Sequence, residues 1–152
     1  MTEAERIAKS FEDLFNGNPG IFVTLVGTLE NITHTQASAR PYPKLHSIWE
    51  IVNHLIGWRL NVLERVQGNV VKAPENNYFA SIEDTSLSAW NETLAQLKDS
   101  QLLWADFLKT FNEQDFEKVN DRSNLNYYEH IQGIIQHDAY HLGQIVILAK
   151  SV

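Results

Sequence analysis

An all-α fold, arranged as a four-helix bundle, is predicted by three features of the 152-residue sequence. Apolar residues recur at spacings of three and four almost throughout, which is the period of an amphipathic helix. No stretch of useful length alternates apolar and polar residues as a half-buried strand does. Breaker clusters divide the chain into long helical units with one extended connection, the pattern of four helices closing around a core. Residues 1–152 are expected to form one helical-bundle domain, long enough to bury a sizeable core.

The first unit covers about residues 3–16, with Ile7, Phe11, Leu14 and Phe15 inward. The run Asn16-Gly17-Asn18-Pro19-Gly20 interrupts it. Helix is expected to resume near Pro19 and continue to Ile32, with Phe22, Leu25, Val26 and Leu29 on one face. Pro41 and Pro43 mark a loop, and Ser47-Ile48-Trp49-Glu50 then has the pattern of a capping box. The second helix therefore runs from Ser47 to Val66 on a stripe of Ile48, Ile51, Val52, Leu55, Val62 and Val66. Residues 67–85, with Gly68 and Pro74, form the long connection. The third helix spans 86–112, where Leu87, Trp90, Leu94, Leu97, Trp104, Leu108 and Phe111 make a seam with Gln101 as its polar member. A polar loop, 112–126, leads to the last helix at 127–150. That helix carries Ile134, Ile145 and Leu148 on one side and Ile135, Ala139, Leu142 and Val146 on the other. A helix apolar all round is buried all round. Either it is central or its outer face meets a second subunit, and a homodimer is the expectation.

With 43% hydrophobic and 20% charged residues the composition is that of an ordinary globular chain. No uninterrupted apolar run reaches the roughly 18 residues of a bilayer span, so no membrane association is expected. The opening MTEAERIAKSFEDLF is acidic and amphipathic, unlike a secretory signal, and cytoplasmic residence is expected. The absence of cysteine excludes disulfides, thiolate metal ligands and a cysteine nucleophile. Any thiol chemistry must use a thiol brought by a ligand. The net charge is −7 with no Lys/Arg cluster, which argues against a nucleic-acid partner.

His137 and His141 lie four apart on the last helix, about 40° apart around its axis and about 6 Å apart along it. Two imidazoles so placed can grip one ion, although such pairs also arise in helices by chance. The pair sits on an inward stripe with Gly133, Ile134, Gln144 and Leu148. A buried imidazole without a partner is costly, so these rings need one. His54, at mid-length on the second helix, is placed to supply a third nitrogen; alternatively it is a core-edge histidine bonded to a carbonyl. Three neutral imidazoles leave coordination positions open, as in a catalytic rather than a structural metal site.

These residues also carry a resemblance. Ser47-Ile48-Trp49-Glu50-Ile51-Val52-Asn53-His54-Leu55 resembles the start of the second helix of the DinB-like family. Gly133-Ile134-Ile135-Gln136-His137-Asp138-Ala139-Tyr140-His141-Leu142-Gly143-Gln144-Ile145 closely resembles its last-helix signature. The Phe15-Asn16-Gly17-Asn18-Pro19 break and the Arg40-Pro41 loop fit as well. The resemblance implies a four-helix bundle with one divalent ion, zinc or nickel foremost, held by three histidines at positions matching His54, His137 and His141. It implies either a metal-dependent hydrolase or a transferase or isomerase using a low-molecular-weight thiol such as bacillithiol, mycothiol or glutathione. It also implies dimers for many members.

An open metal site held by imidazoles either lowers the pKa of a water toward about 7 or ionises a thiol, and these outcomes correspond to hydrolysis and thiol transfer on a small-molecule substrate. A binding protein without turnover, and a bundle whose histidines are relics, are the other classes. Gln144 reads either as an orienter of a ligand ring or as a buried amide satisfied by backbone. Glu50, four before His54, is a candidate base or a solvated capping acid. Tyr140 is a candidate pocket wall or hydrogen-bond donor, or a residue that simply packs, and Asp138 an imidazole partner or an exposed acid. Arg59 reads as an anchor for an anionic substrate group or as a side chain snorkelling to solvent. His130, seven before His137 and about 10 Å away along the helix, reads as a pocket or helix-end residue rather than a further ligand, which would need another helix to shift. His34 and His46 are expected to be exposed.

Overall fold

The computed structural model describes residues 1–152. Its elements are α1 (Glu3–Phe15), α2 (Leu25–Leu29), α3 (His34–Ser38), α4 (Ile48–Val66), α5 (Leu87–Thr110) and α6 (Tyr127–Ala149), with a 3-10 turn at Glu113–Asp115. There is no strand. The four long helices form a ring in which α1 packs on α5, α5 on α4, α4 on α6, and α6 back on α1. No helix is long and apolar enough to cross a membrane.

Side chains define where each long helix begins. Thr2 with Glu5, Ser47 with Glu50, and Asn126 with Glu129 form reciprocal capping boxes, and Ser86 accepts from the backbone N–H of Ala89. Each cap satisfies donors that the first turn would otherwise leave unpaired, worth about 1 kcal/mol. The expected starts of α4, α5 and α6 lie within a residue of the observed ones.

The segment after α1 differs from expectation. Helix was expected to resume near Pro19, but the chain stays non-helical until Thr24 caps the five-residue α2. Gly20 takes a left-handed φ of 79°, which a continuing helix cannot accommodate. Ile21, Phe22 and Val23 consequently point outward, and Phe22, expected in the core, is 48% exposed. The region read as loop between residues 33 and 46 contains α3, started by a Thr33–Gln36 capping box. A helix of five residues leaves no period to read. Leu87, expected at the head of the α5 seam, is exposed, whereas Thr93 and Ser100 are buried there.

A polar layer divides the core in two. One apolar cluster takes Ile48 to Ile56 of α4, Trp90 and Leu97 of α5, and Leu142 to Leu148 of α6. The other takes Val62 to Val66, Trp104 and Leu108, and Tyr127 to Ile134 of the same helices. Between them lie Arg59, Ser100, Gln101 and Asp138, all buried. Arg59 donates to Asp138 at 2.5 Å, to Ser100 at 2.9 Å and to Gln101. Arg59 therefore neither reaches the pocket nor snorkels, and Asp138, fully buried, is not an exposed acid. Each tryptophan indole N–H is also satisfied: Trp49 donates to Thr93, Trp58 to Asn77, Trp90 to the Ile32 carbonyl and Trp104 to the Arg59 carbonyl.

The expectation that α6 is covered on every side does not hold within one chain. Gly133, Tyr140, Gly143 and Ile147 form an exposed strip along it, with Tyr140 63% and Ile147 66% exposed.

Candidate metal centre

The α4 and α6 helices deliver three imidazoles to one point beside the polar layer. The ligand-capable atoms of His54, His137 and His141 all lie within 4.8 Å of one another. Nε2 of His54 is 2.9 Å from Nε2 of His137. The ring centroids are 4.9 Å apart for His54 and His137, 4.6 Å for His54 and His141, and 4.5 Å for the α6 pair. His54 and His141 are buried, and the His137 side chain is 26% exposed.

The surrounding hydrogen bonds choose which nitrogens face the centre. His54 donates from Nδ1 to the Asn77 carbonyl at 2.6 Å, leaving Nε2 with its lone pair toward the other rings. His141 donates from Nδ1 to the Gln144 amide oxygen at 2.6 Å, and the Gln144 amide nitrogen donates to the Tyr140 hydroxyl at 3.0 Å. Gln144 thus holds a ring rather than a backbone group, and Tyr140, far from being packed away, braces Gln144 from the pocket rim. Burial pushes His54 down to about 4, against the opposing bond to Asn77 and with help from charge on His141 and His137. Burial likewise lowers His141, with Gln144 opposing. Both rings are neutral at physiological pH, the protonation state a metal ligand needs. With its proton on Nε2, His137 donates to His54 across the 2.9 Å contact; with its proton on Nδ1, three lone pairs converge and a cation joins them. The residues present fit one divalent ion.

His137 lacks such a brace. Its Nδ1 is buried without a partner, and so is Oδ1 of Asp138, 3.6 Å away. A ligand histidine ordinarily gives its second N–H to a carboxylate, and this carboxylate is the one adjacent.

The long connection positions His54 at some backbone cost. Asn77 and Tyr78 have φ of 54° and 64°, successive left-handed residues, which is uncommon for tyrosine. They are pinned from both ends. Asn77 accepts from Trp58 through its side chain and from His54 through its carbonyl. Asn61 donates to the Tyr78 hydroxyl at 2.9 Å, and the Tyr78 ring lies over Gly57, where a Cβ would come within 2.2 Å of it. Phe79 follows and stacks on His54 at 4.0 Å and on His46 at 3.8 Å.

The three histidines open into a cavity of about 780 Å³. Its walls include Trp58, Phe79, Tyr140 and Gln144, with His46 at one end and His130 at the other. Glu50 is not among them. Its carboxylate accepts from the Ser47 N–H at 2.7 Å and from Arg40, so it is a buried capping acid rather than a solvated one or a base beside the histidines. His34 contacts the Thr85 carbonyl outside the cavity. Asn77, Phe79 and Gly57 were not singled out in the sequence; a glycine in mid-helix facing a long connection was the available signal.

A family model described as the DinB superfamily matches residues 23–145. No curated protein matches the sequence significantly. Among solved structures, the fold is similar to YfiT from Bacillus subtilis, with a TM-score of 0.71 and 14% identity over 99% of this chain and 89% of that one. YfiT is described as "a probable metal-dependent hydrolase with an unusual four-helix bundle topology". A conserved protein from Enterococcus faecalis is similar with a TM-score of 0.63 and 15% identity, over 98% of this chain and 92% of that one. At such identities the likeness speaks for the bundle alone, but the family model spans most of the chain, including all three histidines: this protein belongs to the DinB superfamily.

Proposed function

We propose that the protein is a divalent-metal-dependent enzyme acting on a small molecule, with His54, His137 and His141 as the metal ligands. The observation that carries this reading is the convergence of the three imidazoles within 4.8 Å, two of them fixed through Nδ1 so that Nε2 faces inward. Zinc or nickel suits a set of three imidazoles. Such an ion supplies Lewis acidity, toward water in a hydrolase or toward a thiol in a transferase.

The chain's own contribution is placement and exclusion. Asn77 and Gln144 fix two rings, and the Asp138 carboxylate held by Arg59 lies 3.6 Å from the third without bonding it. Phe79 and Trp58 shield one side of the cluster from water. The cavity is of the size usual for small-molecule sites.

Hydrolysis is the first reading, favoured by the description of YfiT. Transfer from a low-molecular-weight thiol is the second, favoured by the lack of a free carboxylate beside the histidines. Glu50 is held in its capping box and one Asp138 oxygen by Arg59, and a thiol bound at the site would give up its proton to solvent without a protein base.

Elemental analysis of protein purified without an affinity tag or added metal tests the ligand set. One ion per chain is expected, with loss in His54→Ala, His137→Ala and His141→Ala. Undiminished metal in the three variants would overturn it. Esters and amides, then epoxide and halogenated acceptors with and without small thiols, separate the two activities. Metal binding without turnover in any of these would mark a binding protein.

A further inference from the structure

The cavity continues beyond the histidines to an end that carries unpaired positive charge. Arg65 lies eleven residues after His54 on α4, three turns and about 16 Å along the helix. Its guanidinium sits 5.5 Å from the Trp58 ring centre, and that ring lies 6.4 Å from the His137 ring. Trp58 is therefore an apolar spacer between the histidine cluster and a cation, with Val62 and Ile134 continuing the wall.

Arg65 is poorly satisfied. Its Nε is buried with no hydrogen-bond partner. Its one protein acceptor is the Val71 carbonyl, at a long 3.4 Å from Nη2. No carboxylate lies within ion-pair distance of it, although Arg40 and Arg59 each have one. Glu129 lines the same end, but its carboxylate accepts from the Asn126 N–H at 2.8 Å as the α6 capping acid. Burial and the nearby charge of Arg122 both lower Arg65. His130 is bound to Ser123 at 2.7 Å and is lowered by burial and by Arg65, so it stays neutral at this end. A half-buried guanidinium whose Nε is buried without a partner, and which has no carboxylate at ion-pair distance, is poorly compensated until an anion arrives with the ligand.

We propose that the Arg65 end of the cavity binds an anionic oxygen group, carboxylate or phosphate, of a substrate whose apolar body lies along Trp58, Val62 and Ile134 and whose reacting atom reaches the three histidines. The substrate class is an amphipathic organic anion, not a neutral or cationic molecule. This assignment rests on the reading of the histidines as the reacting end, but the anion subsite itself needs no metal.

The test uses 4-phenylbutyrate and 3-phenylpropyl phosphate as anionic probes and 4-phenylbutanamide as the neutral control. Binding is measured by calorimetry to metal-loaded and metal-stripped protein. At least one anion is expected to bind roughly ten-fold or more tighter than the amide, as a charge-assisted contact gives. Arg65→Gln should abolish that preference. Arg65→Lys, which loses the fork geometry, should reduce it. Removing the metal should leave it in place. The proposal is overturned if the amide binds as well as both anions or if Arg65→Gln retains the preference. Disappearance of the preference with the metal also overturns it, because the anion then sits on the histidines. Should Arg65→Gln not fold, a preference retained in Arg65→Met, which also removes the charge, has the same force. If the protein takes up no metal when loading is attempted and the preference persists, the metal reading alone falls.

Discussion

Oδ1 of Asp138 and Nδ1 of His137 lie 3.6 Å apart, each buried and each without a hydrogen-bond partner. The other oxygen of Asp138 is taken by Arg59, itself 1% exposed. One carboxylate thus joins the ion pair that divides the core to the ring that faces the cavity.

Separating the two roles of Asp138 is the first prediction. Asp138→Asn leaves the Arg59 charge uncompensated and should cost on the order of 3–5 kcal/mol of stability. It should also weaken metal binding by about 10–100-fold. Replacing both partners by apolar residues, Arg59→Met with Asp138→Leu, should recover much of the stability, because a buried pair is often no better than a packed apolar one. Metal affinity should stay low. Denaturant unfolding and chelator competition read the two quantities, and full affinity in the double variant would deny Asp138 any part in holding His137.

Gln144 is expected to act through His141 alone. Gln144→Leu keeps the volume but removes the acceptor at 2.6 Å from Nδ1, and metal affinity should fall by at least about ten-fold. Gln144→Glu keeps an acceptor and should retain most of the affinity. Equal affinities in wild type and the leucine variant would return Gln144 to a passive pocket wall.

Gly57 is predicted to control the ligand from a distance. Its substitution by alanine puts a Cβ within 2.2 Å of the Tyr78 ring, so the connection must lift. The Asn77 carbonyl would then leave His54. Lower thermal stability together with roughly ten-fold weaker metal binding is expected. Lower stability with unaltered metal binding would show that the connection does not orient His54.

Glu50 sets a pH dependence. Burial pushes its carboxyl up, but hydrogen bonds from Arg40 and Ser47 outweigh that and hold it below the ordinary glutamate value of 4.5. A depressed carboxyl stabilises the fold fully above its unfolded value, and that contribution is lost as pH falls through the folded one. Glu50→Gln should therefore be about 1–2 kcal/mol less stable than wild type at pH 7. The difference should shrink on acidification below the unfolded value. Unfolding curves at neutral and acid pH check the sign, and a gap that widens in acid would falsify it.

Helix starts and the apolar faces of α4 and α6 were legible in the chain because capping and periodicity are local. Ser47 and Glu50 are three residues apart, and their bond forms whatever the rest of the molecule does. The break after α1 was legible as a break but not in its extent, since Gly20 and Thr24 fix where helix resumes only through their backbone geometry. Arg59 and Asp138 each looked like a surface or pocket charge, because nothing nearby in sequence reveals that a residue 79 positions away will neutralise them.

The histidine pair on α6 needed no partner to be seen, since a spacing of four on one helix fixes a direction in space. The meeting of His54 with that pair, the loop carbonyl that turns its ring and the unpaired guanidinium beyond Trp58 depend on how α4, α6 and the long connection meet. Local chemistry writes caps and helical faces into neighbouring residues. Distances across a core and counter-charges found or missing are properties of packing, and they come into being when the helices close.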